Sequence, residues 1–368
     1  MPSRYDIDPE QLAGLLVDEP AYRARQVWDG LYRRAVDPED LTELPKDLRA
    51  RLGELLPAAL RPVTETVSGD GETVKWLWEL DGGTRVETVL MHYPDRHAPG
   101  AEPGPPAPEA RHGRSTVCVS TQAGCAMGCG FCATGQAGFV RQLSTGEIVE
   151  QVVRAIRRAR PRRVSNVVFM GMGEPLANYD NTWAAVERIH GDIGLSDRHL
   201  TISTVGVVPG IKRLAGEHLP VNLAVSLHAA NDALRNDLVP INRRYPLAVL
   251  VDACAAYVAA SGRRLSFEWA MIDGVNDRVS DARELAQLAR RLRAHVNLIP
   301  LNPTPGYATR KTPADGVRAF RDRLALLGVN ATVRRNRGTD IDAACGQLHQ
   351  RSAGLAVGMK PGAGRSGR

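Results

Sequence analysis

No stretch of 18 or more consecutive apolar residues occurs in the 368-residue chain, which excludes a membrane-spanning helix of ordinary length. The opening residues Met1-Pro2-Ser3-Arg4-Tyr5-Asp6 lack the charged-then-apolar pattern of a secretory signal, so a cytosolic protein is expected. Internal repeats are absent as well. Cysteine is scarce, with six residues in all. In a reducing compartment clustered cysteines serve as metal ligands or reactive thiols rather than as structural disulfides. Charge is nearly balanced: 47 Lys and Arg against 41 Asp and Glu leave +6 and a pI near 9.1. That excess favours a polyanionic partner without demanding one. What the chain does have is apolar content, 43% of its residues, enough for one large domain and a small one.

Residues up to about 60 read as helical, with Val27, Trp28, Leu31 and Tyr32 on one stripe. The alternating bases and acids of this module suit either a solvated face or a nucleic-acid surface. From about Thr64 to Met91 the pattern alternates, and Thr73 to Leu80, an Asp81-Gly82-Gly83 turn and Thr84 to Leu90 predict a hairpin. Ala98 to Arg114 is rich in Pro, Gly and Ala and reads as an exposed loop insertion. Beyond it six candidate parallel strands recur: Thr116–Thr121, Val164–Met170, Leu200–Val205, Val221–Leu227, Leu265–Ile272 and Val296–Leu301. Helical patterns lie between them. The first is signed by a capping box, Ser144 with Glu147, ahead of Ile148, Val149, Val152, Val153 and Ile156 on one face. Further helices are expected over Trp183–His190, Leu247–Ala260, Ala282–Arg293 and Gly316–Leu327. The domain divisions are 1–62 (helical module), 63–114 (hairpin and linker), 115–350 (core) and 351–368 (a Gly-rich, basic, disordered tail). This alternation predicts an α/β fold with a parallel sheet, either open and doubly wound or a full or partial barrel. In either case the site belongs at the carboxyl ends of the strands.

Four of the six cysteines fall in Cys118-Val-Ser-Thr-Gln-Ala-Gly-Cys125-Ala-Met-Gly-Cys129-Gly-Phe-Cys132. The C-x3-C-x2-C spacing of Cys125, Cys129 and Cys132 aims three thiolates at one inorganic centre and leaves its fourth position open. A zinc site closed by Cys118 is the alternative, although Cys118 lies in a strand-like run seven residues before Cys125. The second motif, Phe169-Met170-Gly171-Met172-Gly173-Glu174-Pro175, follows a β run; its glycines admit close backbone approach and its carboxylate can receive an amine. At successive strand ends stand Ser203, then Ser226-Leu227-His228, then Asn302. Each alone reads equally as a strand-end cap or a core histidine, but their placement on one rim groups them. Cys254 reads as core filler, whereas Cys345, in Asp340-Ile341-Asp342-Ala343-Ala344-Cys345-Gly346-Gln347-Leu348, reads as an accessible thiol.

Taken together these motifs resemble the RlmN/Cfr family of radical S-adenosylmethionine RNA methyltransferases. The resemblance runs from the helical module to about Leu348, and only the insertion and the tail depart from it. It implies a partial (β/α)6 barrel carrying a small N-terminal helical RNA-binding module and a β-hairpin extension. It implies a [4Fe-4S] cluster held by Cys125, Cys129 and Cys132, and S-adenosylmethionine held by Gly173, Glu174, Ser203, Ser226, Leu227, His228 and Asn302, two molecules per turnover. The catalytic residues it implies are Glu87 as general base, Cys345 as methyl carrier and Cys118 as the thiol that releases product through a transient disulfide. Glu87 also reads as an outward-facing strand residue. The implied reaction is methylation of adenosine C2 in 23S rRNA and tRNA, with adenine C8 as the alternative and a non-catalytic zinc RNA-binding protein as a distant one. Implied as well are a one-electron donor such as flavodoxin, no membrane, and a cytoplasmic monomer. Arg154, Arg157, Arg158, Arg160, Arg162 and Arg163, with Arg334, Arg335 and Arg337, would contact phosphates, although a solvated helix face fits the first group equally.

Overall fold

A computed structural model describes residues 3–93, 113–304, 306–334, 337–344 and 346–348. Most of the Pro/Gly-rich insertion, Arg335, Cys345 and the tail lie outside the described residues.

The architecture is a ten-stranded mixed sheet in the order β1-β2-β3-β4-β7-β8-β9-β10-β11-β12. Strands β4 (Arg114–Cys118), β7 (Arg163–Phe169), β8 (Leu200–Thr204), β9 (Asn222–Ser226), β10 (Ser266–Met271) and β11 (His295–Pro300) are the six expected ones, each within two or three residues of its predicted bounds. All six run parallel to one another, and a seventh parallel strand, β12 (Ala331–Val333), is one that the sequence did not announce. Their spatial order follows their sequence order without reversal, so no topological switch point exists and the doubly wound alternative falls. With its first and last parallel strands unpaired to each other, the structure is a partial barrel.

Helices α5 (Thr145–Ala159), α6 (Tyr179–Gly191), α7 (Val208–Leu214), α9 (Leu247–Ser261), α10 (Val279–Leu292) and α11 (Ala314–Leu326) connect these strands. The expected capping box starts α5: Ser144 Oγ accepts from Glu147 N at 3.2 Å and Ser144 N donates to a Glu147 carboxylate oxygen at 2.9 Å. The side chains of Val117, Val167, Phe169, Ile202, Leu223, Val225, Phe267, Trp269, Val296 and Leu298 are buried and belong to one continuous core, as does Cys254 on α9. Because pleating alternates side chains, the residues between them face the barrel interior. Paired positions across the sheet share that interior face: Val89, Cys118, Val168 and Thr201 in one row, Ser226, Glu268, Asn297 and Thr332 in another.

The hairpin is larger than the sequence indicated. Strand β1 (Arg61–Val67) pairs with β2 (Thr73–Glu79), β2 with β3 (Arg85–Tyr93), and β3 with β4, all antiparallel, so this three-stranded extension continues the barrel sheet. The N-terminal helices α1 (Pro9–Leu15), α2 (Tyr22–Tyr32) and α3 (Lys46–Leu55) pack into the same core through Leu12, Val27, Leu31, Tyr32, Leu48 and Leu52. Trp28 Nε1 donates to Asp192 at 2.9 Å and Asp6 accepts from the Gly146 amide at the start of α5.

That docking corrects the reading of the α5 arginines as a phosphate-binding or solvated face. Arg157 pairs with Asp37, Arg158 with Glu65, Arg154 with Glu150 and Arg162 with Glu72, while Arg160 donates to the Arg34 carbonyl. Most of these cations hold the module and the extension against the barrel. Of that group, Arg158, Arg160 and Arg163 are exposed.

Candidate active site

At the carboxyl ends of the parallel strands opens a cleft of roughly 1090 Å³, counting its mouth, a size that suits a cofactor and a reacting base. Cys125, Cys129, Cys132, Gly173, Glu174, Ser203, Ser226, His228 and Asn302 all line it, so six strand-end or loop expectations converge with the cysteine triad in one place. Leu227 does not join them: its side chain is core, its N–H donates to the Glu268 carbonyl at 3.0 Å and its own carbonyl accepts from Arg235.

The cysteine loop leaves β5 (Gln122–Gly124) and ends on a short helix, α4 (Ala133–Gln136). It is held by Cys125 N donating to Gly138 O and Cys132 N to Cys129 O. A side chain at Gly135 would meet the Cys129 backbone at 2.8 Å, so only glycine lets the helix fold back over the loop. Burial pushes the Cys125 thiol up to about 12, and the more deeply buried Cys129 higher still. Sulfurs so placed stay protonated unless a cationic centre compensates them, and iron supplies that compensation. No three His, Cys, Asp or Glu side chains among the described residues converge on a single ion-sized point. The donor set itself, three thiols from one short loop lining the cleft, fits a [4Fe-4S] cluster with one iron left without a protein ligand.

Gly173 explains the Gly-Met-Gly-Glu-Pro motif. Its φ is +99°, and a Cβ would fall 2.5 Å from Gln122 Cβ. Gly171 is equally confined, 2.6 Å from Val119 O. Both glycines press this turn onto the chain entering the cysteine loop, and Glu174 is thereby aimed inward. Its carboxylate accepts from Leu176 N at 3.0 Å and Val205 N at 2.9 Å. Burial outweighs these bonds and raises its pKa to about 7.

His228 has a left-handed backbone, φ +57°, and its Nδ1 accepts from Ala270 N at 3.0 Å, so Nε2 carries the proton. Burial, with the nearby Arg235, lowers its pKa to about 3, so the ring is neutral at any working pH. Phe131, between the last two cysteines, meets it edge-on at 4.8 Å. Sequence reasoning missed Arg235 on α8 (Asp232–Leu238), which is fully buried and donates to Leu227 O, Val205 O and Asn242 Oδ1. It also missed Glu268 in the cleft wall, where Arg334, expected as a phosphate contact, stands as well. A carboxylate inside the apolar run Leu265–Ile272 was the available signal.

Cys118 and Glu87 do not line the cleft. They share the interior face of the sheet beside it: Cys118 pairs in register with Val89, two residues from Glu87. Glu87 is buried, not outward-facing, with its carboxylate 3.0 Å from Lys75 Nζ. Lys75 also donates to Asp342 O at 3.2 Å, three residues before Cys345. Gly69 N donates to Asp340 at 2.8 Å, and Arg337 to His92 O at 2.8 Å while stacking on Tyr93. Beyond Cys345 the chain is tied to α4: Ala133 N donates to Gly346 O and Thr134 Oγ1 to Leu348 O.

The radical SAM superfamily model matches residues 119–289, which hold the cysteine triad and the strand-end motifs through His228. A probable dual-specificity RNA methyltransferase RlmN from Frankia casuarinae is 51% identical over 351 residues, covering 91% of this chain and 79% of its own length. The chain belongs to the RlmN family of radical SAM RNA methyltransferases. A second relative of that name, from Chloroflexus aurantiacus, is 49% identical and covers 94% of this chain and 92% of its own. The crystal structure of a radical SAM methyltransferase from Sphaerobacter thermophilus superposes with a TM-score of 0.87 at 48% identity, covering 95% of this chain and 99% of that one. This protein is thus a radical SAM-dependent RNA methyltransferase, and the family implies a [4Fe-4S] cluster and S-adenosylmethionine as its cofactors.

Proposed function

We propose that the protein methylates C2 of adenosine in 23S rRNA, at the peptidyl transferase centre, and of adenosine 37 in tRNA. In this reading Cys345 carries the methyl group and forms a transient disulfide with Cys118. The observation that supports it best is the face shared by Lys75, Glu87 and Cys118, with the segment leading to Cys345 tied to that face through Asp342.

Adenine C2 is not nucleophilic, so transfer directly from a sulfonium does not reach it. When bound, the cluster and S-adenosylmethionine supply the hydrogen-abstracting radical, two molecules of the sulfonium being used per turnover. Cysteines 125, 129 and 132 hold the cluster; Gly173, Glu174, Ser203, Ser226, His228 and Asn302 hold the cofactor, with Leu227 contributing backbone only. Glu87 removes the C2 proton from the adduct that joins RNA to Cys345. Cys118 then bonds to the Cys345 sulfur, the sulfur–carbon bond breaks with its electron pair leaving on the methylene carbon attached to C2, a proton converts that carbon to the methyl group, and an external thiol reduces the disulfide before the next turnover. Lys75 Nζ, 3.0 Å from the Glu87 carboxylate, holds that carboxylate on the face it shares with Cys118. The target adenine must be unstacked, which suits RNA loops. The module of residues 1–62 serves as an accessory RNA surface, a donor such as flavodoxin supplies single electrons, and the monomer is the working unit.

Mass spectrometry of nucleosides from a deletion strain and its complement tests this reading. Loss and return of 2-methyladenosine is expected, and 8-methyladenosine instead would reassign the reaction to adenine C8. With purified components, Cys118→Ala should trap an RNA adduct at Cys345; turnover without an adduct would remove Cys118 and Cys345 from these roles.

A further inference from the structure

Glu268 is a carboxylate in the middle of a barrel strand, 3% exposed, in the wall of the cleft. One of its oxygens is occupied: Oε1 accepts from Asn297 Nδ2 at 2.8 Å and from Ser266 Oγ at 3.1 Å. The other, Oε2, is buried and makes no hydrogen bond; the nearest cation, Arg334 Nη1, stands 3.6 Å away. A buried carboxylate oxygen without a donor costs of order 1–3 kcal/mol or more. Such an atom in a ligand cleft points to a ligand that brings the donor.

We propose that Glu268 is the acceptor for the ribose hydroxyls of bound S-adenosylmethionine. The inference rests on the family's cofactor and not on the choice of C2. Glu174 and the cysteines stand at the rim of the cleft, and their chemistry suits the amino acid end of the cofactor. Glu268 lies below the carboxyl end of β10, in register with Ser226 on β9, so it meets the part of the ligand that follows. There the cofactor offers a vicinal diol. Oε2 retains two lone pairs, the number two hydroxyl donors fill, and the neighbouring Ser226 hydroxyl is free to donate to or accept from the same diol. Arg334, which lines the same cleft, keeps its Nη1 3.6 Å from Oε2, beyond hydrogen-bond distance.

Equilibrium dialysis of the anaerobically reconstituted full-length protein, without RNA, tests this directly. The probes are S-adenosylmethionine, its analogues lacking the 2′- or the 3′-hydroxyl, and an analogue lacking the adenine amino group. Glu268→Gln keeps the shape and the Oε1 contacts but turns the cavity-facing acceptor into a donor. It is expected to bind S-adenosylmethionine about 10- to 100-fold more weakly. Removing either hydroxyl should weaken the wild type by part of that loss and add little to the variant, because the variant has already lost both contacts. Binding of the variant within about twofold of wild type, full additivity of the two losses, or coupling to the adenine amino group instead would overturn the proposal. Should the variant fail to fold, indifference of the wild type to both missing hydroxyls would overturn it alone. None of these outcomes bears on Glu87 or the cysteine pair, since no RNA is present.

Discussion

Replacing Arg235 by Met should destabilise the protein and loosen two cofactor-binding loops at once. The guanidinium is fully buried and burial lowers its pKa, to about 10, so it remains charged at neutral pH. It spans the ends of two neighbouring strands, donating to Val205 O beyond β8 and to Leu227 O beyond β9, and it also holds Asn242 Oδ1 at 2.8 Å. Methionine fills most of the volume but donates to none of these acceptors. Each buried acceptor left unpaired costs about 1–3 kcal/mol, while relief of a buried charge returns part of that, leaving a net loss of about 3–5 kcal/mol. With an unfolding entropy near 0.8 kcal/mol/K for a chain of this length, Tm should fall by about 4–6 °C. Because Val205 and Leu227 follow Ser203 and Ser226, S-adenosylmethionine affinity should fall with it. Thermal unfolding by circular dichroism and equilibrium dialysis measure the two effects, and Arg235→Lys, which keeps the charge but not the span, should lie between. A Tm within about 1 °C of wild type would refute the claim that this residue braces the loops.

Gly173→Ala should abolish S-adenosylmethionine binding, since its φ of +99° and the 2.5 Å approach to Gln122 leave no room for a methyl group; dialysis on protein with intact iron–sulfur absorption checks it. The reconstituted wild type should be brown with such absorption, and Cys129→Ala should lose it; a colourless wild type binding one zinc would contradict the assignment of the triad. Glu174 has a pKa raised from 4.5 to about 7 by burial. If it receives the cofactor's cationic amine, it must ionise, so affinity should rise by about tenfold between pH 6 and pH 8; a flat profile would place the amine elsewhere. The same shift means that the cofactor-free fold loses stability as pH rises from 4.5 towards 7, the window in which the folded chain holds the extra proton.

The six parallel strands were legible because their apolar runs are bounded by turn residues, and α5 because Ser144 and Glu147 sign its start. Strand β12 was not, since three residues carry no period. Nor was β1 legible along its full length, because its side chains are almost all exposed and show no alternation. The larger misreading concerned charge. Arg157 and Arg158 meet Asp37 and Glu65 some 90 to 120 residues away, and no local pattern distinguishes such a pair from a free basic face. Motif spacing gathered residues that line the cleft together, and the Leu227 side chain stands apart from its two neighbours because adjacent strand residues point to opposite sides of the sheet. Glu268 escaped although a carboxylate inside the apolar run Leu265–Ile272 marked it, because only the register with Ser226 and Asn297 brings it into the cleft.

The seal between the extension and the segment before Cys345 joins residues made at opposite ends of synthesis: Gly69 with Asp340 and Lys75 with Asp342, each across roughly 270 positions. A chain ending at Val333 would contain all ten strands of the main sheet and the three cluster cysteines, and would still leave the Glu87 face without its partner segment. During translation the barrel and its metal-binding loop are therefore complete in sequence before the reactive pocket has its last wall. The contacts of Gly69 and Lys75 can form only once Asp340 and Asp342 have been made, a limit set by where those residues stand in the chain.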